Sequence, residues 1–486
     1  MKLNVILFSA LLVLGSCSQN SNGDKKAADN NVKDSNKELA NLFENFYEKR
    51  LHLFPLEATS IGDNRFNDLM PIDFTDSYRI KLHDFFKNYS DSIAQFDRAK
   101  LNENDKISFD IFKYEMGMSL EGLTYHDNYA PFNQFYALPL SMGQLGSGDG
   151  NQPFKTVADY DNWIKRASNF TAWADSAIIY FKKGIDSNWV LPKVLVVKMI
   201  PQLNAMVTDD ATKSLFYEPI KKTPSTFSDS DKSRLTTSYK DLITQQITPS
   251  YKKLAAFLSN EYLPKARATT GISGVNGGDK YYNYLVRFWT TTTKSPDEIY
   301  NTGLSEVKRI RGIMDSVKNA VGFKGDLNAF FDYMRTDKKF MPFKTPEEVL
   351  NAWRSIRAKV EPNLKNYFGH TPKSDFEIRQ TEAFRAASSS IEYNPATADG
   401  SRPGIVYIPI IDATTFNTTS GMESTFLHEA IPGHHYQISL QQENKSLPKF
   451  RRFSWYGAYG EGWALYCESM GKELGLYTDP YQYMGS

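Results

Sequence analysis

The sequence predicts a mainly α-helical protein with one small β-sheet, on three observations. Apolar residues recur at three- and four-residue spacing through most of the chain beyond residue 36. Two helix starts are spelled out by a hydroxyl residue, a proline and acids. β-Branched and aromatic residues bounded by turn formers gather between 375 and 410.

The N-terminus is separate from that body. Lys2 precedes an apolar run from Val5 to Leu14, a signal segment over 1–16 that is too short to span a bilayer. Leu14-Gly15-Ser16-Cys17 resembles the lipobox of bacterial lipoproteins. The resemblance implies cleavage before Cys17, lipidation of its thiol, and anchoring in the bacterial cell envelope. Ser18 points to the outer membrane by analogy with bacterial sorting. Residues 17–36 hold almost nothing that can be buried and form a tether to a folded body over 37–486. Lys plus Arg number 57 against 56 Asp plus Glu, so no net field recruits nucleic acid, and membrane contact is expected through the lipid only. Cys467 is the one other cysteine, which leaves no internal disulfide and makes it a packing residue.

Along the body, Leu39, Leu42, Phe43, Phe46 and Tyr47 share one helix face, and that helix ends before Pro55. Helical stretches follow at 76–122, 156–184, 190–206 and 231–266. Ser295-Pro296-Asp297-Glu298 and Thr345-Pro346-Glu347-Glu348 each place a hydroxyl at the N-cap, Pro at the first helical position and Glu at the third. The Gly-rich stretches at 144–150 and 271–278 are punctuation, since both lack the lysine and strand context of a phosphate loop. DFEIRQTE, SSIEYNP and GIVYIPI are three short strands beside the histidine cluster described next. No fixed-period repeat is present.

Seven histidines occur in the chain, and three of them, His428, His434 and His435, fall in HEAIPGHH beside Glu429. Ser420 and Glu423 can close a capping box, so a helix is expected from about Gly421 through Glu429. Pro432 must break or bulge it, because proline lacks an amide hydrogen and collides with the carbonyl of His428. On an unbroken helix His434 would point about 120° away from His428, and His435 would share its face about 10 Å further along. Neither geometry chelates one ion without the break.

HEAIPGHHYQ followed by GEGWALYCE resembles the signature of the bacterial domain-of-unknown-function-885 family. FPLEATSIGDNRF, GGDKYYNYLVRFWTTT and DGSRPGIVYIPI extend the likeness in the same order. That family is similar to the carboxypeptidase Taq and thimet oligopeptidase group of zinc peptidases, with two extra residues inside their HExxH motif. The resemblance implies a large zincin-like (gluzincin) helical body with a small antiparallel sheet beside the metal site. It implies Zn2+ held by His428, His434 and Glu461, with Glu429 as general base. Three such ligands leave a coordination position for water, whose pKa the metal lowers towards ~7. His435 is open between ligand, substrate donor and packing side chain. Glu468 returns to the helix face of Glu461 and either orients a ligand imidazole or is solvated. Trp463, Tyr466 and Tyr436 could wall an organic substrate, but aromatics at helical spacing are more often core, and they are not taken as site residues. GIVYIPI is open between a substrate-binding edge strand and a plain structural one. Family members continue for a further helical segment beyond the position of Ser486, so the body is expected to be C-terminally incomplete.

The expected function is hydrolysis of short peptides. Two alternatives stay open: a non-catalytic surface lipoprotein that binds peptides or a partner, and a zinc hydrolase of a non-peptide amide or ester.

Overall fold

The computed structural model describes residues 35–486 apart from Ser388, Asp399, Ser401 and Ser420. The signal segment, Cys17 and nearly all of the tether lie outside the described residues. No helix among the described residues is long and apolar enough to cross a membrane.

The first helix, Lys37–Leu53, is capped by the side chain of Asn36, which accepts from the Leu39 amide at 3.0 Å. Its buried face carries Leu39, Phe43, Phe46, Tyr47 and Leu51. That face packs on helices Asp76–Ile93 and Glu103–Gly122 through rings such as Phe46 and Phe112, edge to face at 4.8 Å. The stretch expected over 76–122 is thus two helices.

A larger core follows around Trp163, Trp173 and Tyr251, built by helices Val157–Ser168, Phe170–Asp186 and Lys193–Asn204 and by the run from Asp229 to Tyr262. That run passes Pro249 without breaking. A π-turn at Ile243–Ile247 widens the backbone just before the proline, which absorbs the missing amide hydrogen bond. Both predicted proline starts are present. Ser295 and Glu298 close a full capping box at the start of Pro296–Ala320. At Pro346–Leu364 the Thr345 hydroxyl caps Glu348, but the Glu348 carboxylate turns to the Lys344 amide at 2.7 Å.

The three strands lie where the sequence places them: β1 Phe376–Gln380, β2 Glu392–Asn394 and β3 Gly404–Ile408. Their arrangement corrects the antiparallel expectation. The order is β1-β3-β2, with β1 parallel and β2 antiparallel to β3. The chain between β1 and β3 runs through helix Ala383–Ala386 and β2, and that long crossover returns it to the end of the sheet at which β1 started. GIVYIPI therefore supplies the central, fully buried strand, with neighbours on both sides, and is no edge for substrate. Val406 and Ile408 pack with Trp353 and Val360 against Phe426 and Leu427, which seats the histidine-bearing helix on the sheet.

Candidate metal centre

Helix Met422–Glu429 carries His428 and Glu429 in its last turn. The capping box expected at its start involves Ser420, which lies outside the described residues. Gly421 is the cap residue, at φ 81°, and the Glu423 carboxylate accepts from the Tyr477 amide at 2.7 Å.

The predicted break at Pro432 is present. The backbone leaves the helix at Ala430 (φ −101°, ψ −104°), passes a cis Ile431–Pro432 peptide and re-enters a helix at His434–Glu443 after Gly433. A Cβ at Gly433 would lie far inside 3.0 Å of the carbonyl oxygens of Leu427 and His428, so only glycine lets the two backbones approach this closely. The bulge is gripped from outside by helix Gly457–Ser469: Trp463 Nε1 donates to the Pro432 carbonyl at 2.8 Å, and Cys467 Sγ lies 3.4 Å from the same oxygen.

Because of the break, His434 turns back to His428, with ring centroids 4.6 Å apart and planes at 85°. Glu461 approaches from Gly457–Ser469. Its Oε2 lies 3.2 Å from His428 Nε2 and 3.7 Å from His434 Nε2, and the three donor atoms lie within 4.8 Å of one another. Tetrahedral zinc with N and O ligands at roughly 2.0–2.2 Å separates its donors by about 3.4 Å. The spacing and donor chemistry therefore fit zinc, which these three side chains would hold.

The supporting groups are ordered. Glu468 Oε1 lies 2.8 Å from His428 Nδ1; with Nδ1–H donating to the carboxylate the ring is oriented so that Nε2 would be free for a metal. Burial opposes a charge on His428, but the Glu468 hydrogen bond and the neighbouring carboxylates outweigh it and hold its pKa above the ordinary value. His434 is pushed down to about 4 by burial and by His428, so its metal-free ring is neutral. Its Nδ1 is buried with no hydrogen-bond partner among the described residues. Trp455 packs edge-on against it at 5.3 Å.

Burial, helped by the charge of Glu461, pushes Glu429 up to about 7 against the opposing pull of His428, and the Tyr393 amide bonds to its carboxyl group. His435 faces the other way: Nδ1 lies 3.0 Å from the Tyr393 hydroxyl, and the ring packs 4.8 Å from Phe376. Of the roles left open for it, packing between sheet and helix is the one its position fits.

Sequence reasoning brought together His428, Glu429, His434, Glu461 and Glu468. It missed Trp455, and the grip of Trp463 and Cys467 on Pro432. The signal for Trp455 was Gly460, where a Cβ would strike the indole. Tyr436 is core, as expected, and its hydroxyl bonds to the His370 carbonyl. Tyr466 is 57% exposed, because it lies on the outer face of its helix, and is not core.

Two clefts flank this centre. One of about 920 Å³ runs along His434–Glu443 past Gln437, Tyr459 and Trp463. The other, about 560 Å³, reaches from Trp455 to the first helix.

No curated protein matches the chain. Solved structures share its fold, among them the following two. One is a protein from Colwellia psychrerythraea described as a lipoprotein, with TM-score 0.84 and 24% identity. The other, from Shewanella oneidensis, is described as a lipoprotein of unknown function, with TM-score 0.63 and 19% identity. Each match covers 92% of this chain and 80% of the other. The family model for the bacterial proteins of unknown function DUF885 matches residues 55–486, and the chain belongs to that family.

Proposed function

We propose that the protein is a zinc-dependent hydrolase of short peptides, tethered by a lipid on Cys17 to the bacterial outer membrane. The observation that carries the hydrolase reading is the convergence of His428, His434 and Glu461 on one point, with the buried Glu429 next to the first of them. The lipobox-like segment carries the tether, and the description of both matched structures as lipoproteins favours it.

Zinc at this site supplies Lewis acidity, polarising a carbonyl and making water easier to deprotonate. The chain's own residues do the rest. Glu468 fixes the tautomer of His428, and the Pro432 bulge, gripped by Trp463, aims His434. A general base works best with a pKa near the operating pH, and Glu429 at about 7 lies in that range. In its charged form Glu429 would accept the proton of an attacking water and return it to the leaving amine. A purely structural zinc site normally has four protein ligands and no spare carboxylate, which favours catalysis over a structural role.

The test is elemental analysis of the chain purified without chelator, beside His428→Ala. One zinc per wild-type chain, lost in the variant, is expected; a folded wild type without zinc refutes the site. Glu429→Gln is then expected to keep the metal and lose about 100-fold or more of peptide turnover. Retained turnover would sink the assignment of this base. A panel of peptides and esters, with and without chelator, separates a peptidase from a hydrolase of other substrates.

A further inference from the structure

The cleft of about 560 Å³ is walled by the first helix, helix Glu103–Gly122 and the segment 450–457. It shares a wall with the metal centre, because Trp455, which packs on His434, also lines it. Its other end is charged. Arg50 donates Nε and Nη2 to the two oxygens of Glu57 at 3.1 and 2.8 Å, and its charge also acts on Glu115. Glu115 is different. It lines the same cleft, its hydrogen-bond partner is the Tyr456 hydroxyl at 3.2 Å, and no cation nitrogen among the described residues lies within ion-pair distance of it.

The walls around this carboxylate are aromatic, and two glycines seat them. Trp289 lies against Gly457, where a Cβ would come within 2.9 Å of the ring, and Trp455 lies against Gly460. Both indoles are nearly half exposed, so their faces are available to a ligand. Arg50 faces two carboxylates in this cleft, Glu57 and Glu115, and the one guanidinium leaves an excess of negative charge that, beside electron-rich rings, is complementary to an ammonium group and to no anion. Burial raises the pKa of Glu115 despite the pull of Arg50, and an ammonium group bound beside it would favour the charged form.

We propose that this cleft binds an ammonium group of the substrate, with Glu115 as its counter-ion and Trp289, Trp455 and Tyr456 as its walls. The inference rests on the peptidase reading for its substrate class, since a free α-amino end held here would lie across Trp455 from the metal centre. A peptide presents ammonium in two ways, at its N-terminus or on a lysine side chain.

Calorimetric titration of the full, metal-free chain with Ala-Phe, N-acetyl-Ala-Phe and N-acetyl-Lys-Phe tests it without turnover, and so independently of whether the protein is a zinc hydrolase. At least one ammonium-bearing peptide is expected to bind ten-fold or more tighter than N-acetyl-Ala-Phe. Which of the two does so identifies the source of the ammonium. Glu115→Gln is expected to erase the difference. Equal affinities in the wild type, no binding of any of the three, or a folded Glu115→Gln that still discriminates would each overturn the proposal. The wild-type comparison stands even where the variant fails to fold.

Discussion

Glu468 is expected to set the zinc affinity of the site without touching the metal. Its Oε1 holds His428 Nδ1 at 2.8 Å, while its backbone carbonyl is fixed separately by the Tyr477 hydroxyl at 2.8 Å, so truncating the side chain leaves the helix in place. Removing a carboxylate that orients a ligand histidine costs about 10–100-fold in metal affinity, or about 1.4–2.8 kcal/mol. Glu468→Ala should lose that amount. Glu468→Gln keeps an oxygen within reach of Nδ1–H but loses the charge. Charge-assisted bonds are roughly twice as strong as neutral ones, so the amide should recover about half of the free energy and lose only about 3–10-fold. Competition of each variant with a chromophoric zinc chelator reads these numbers directly. An affinity unchanged in Glu468→Ala would refute the orienting role, and a Glu468→Gln as weak as the alanine variant would show that charge alone matters.

Two further outcomes follow from the local geometry. Gly433→Ala places a methyl group against the carbonyls of Leu427 and His428, so the bulge must shift and His434 with it. Zinc stoichiometry should collapse while circular dichroism stays helical, and a variant that binds zinc normally would contradict the close approach. The metal-free chain should also lose stability in acid through His435, whose pKa burial pushes down to about 4 from the ordinary value near 6.5. Between those values the unfolded chain binds the extra proton, so this contribution is complete above about pH 6.5 and is lost as pH falls towards about 4, to a total of about 3 kcal/mol. His435→Gln should therefore make the pH dependence of the denaturation midpoint shallower over that interval, with His434, also held at about 4, supplying what remains. A slope as steep as in the wild type would place the titration elsewhere.

Much of the fold is local and therefore legible. The 3.6-residue period marks the helices, and Ser295 and Thr345 mark two of their starts, because caps and periodic faces depend only on neighbours in the chain. The strands are legible for the same reason. Their parallel and antiparallel pairing is not, since it depends on how the connections cross the sheet, and GIVYIPI reads the same as a central or an edge strand.

By itself the sequence determined the helical class, the family likeness, the histidine cluster and the necessity of a break at Pro432, which proline chemistry dictates. Only the tertiary structure decided what the break does. The direction in which the chain leaves Pro432 depends on the close approach of Gly433 to Leu427 and on the hydrogen bond from Trp463, a contact across 31 residues. That direction turns His434 towards Glu461 and sends His435 to Tyr393 and the sheet. The same holds for the cleft beside the metal centre, where Glu115 and Tyr456 meet across 341 residues. No local pattern encodes such a meeting, because it is fixed by the packing of whole helices.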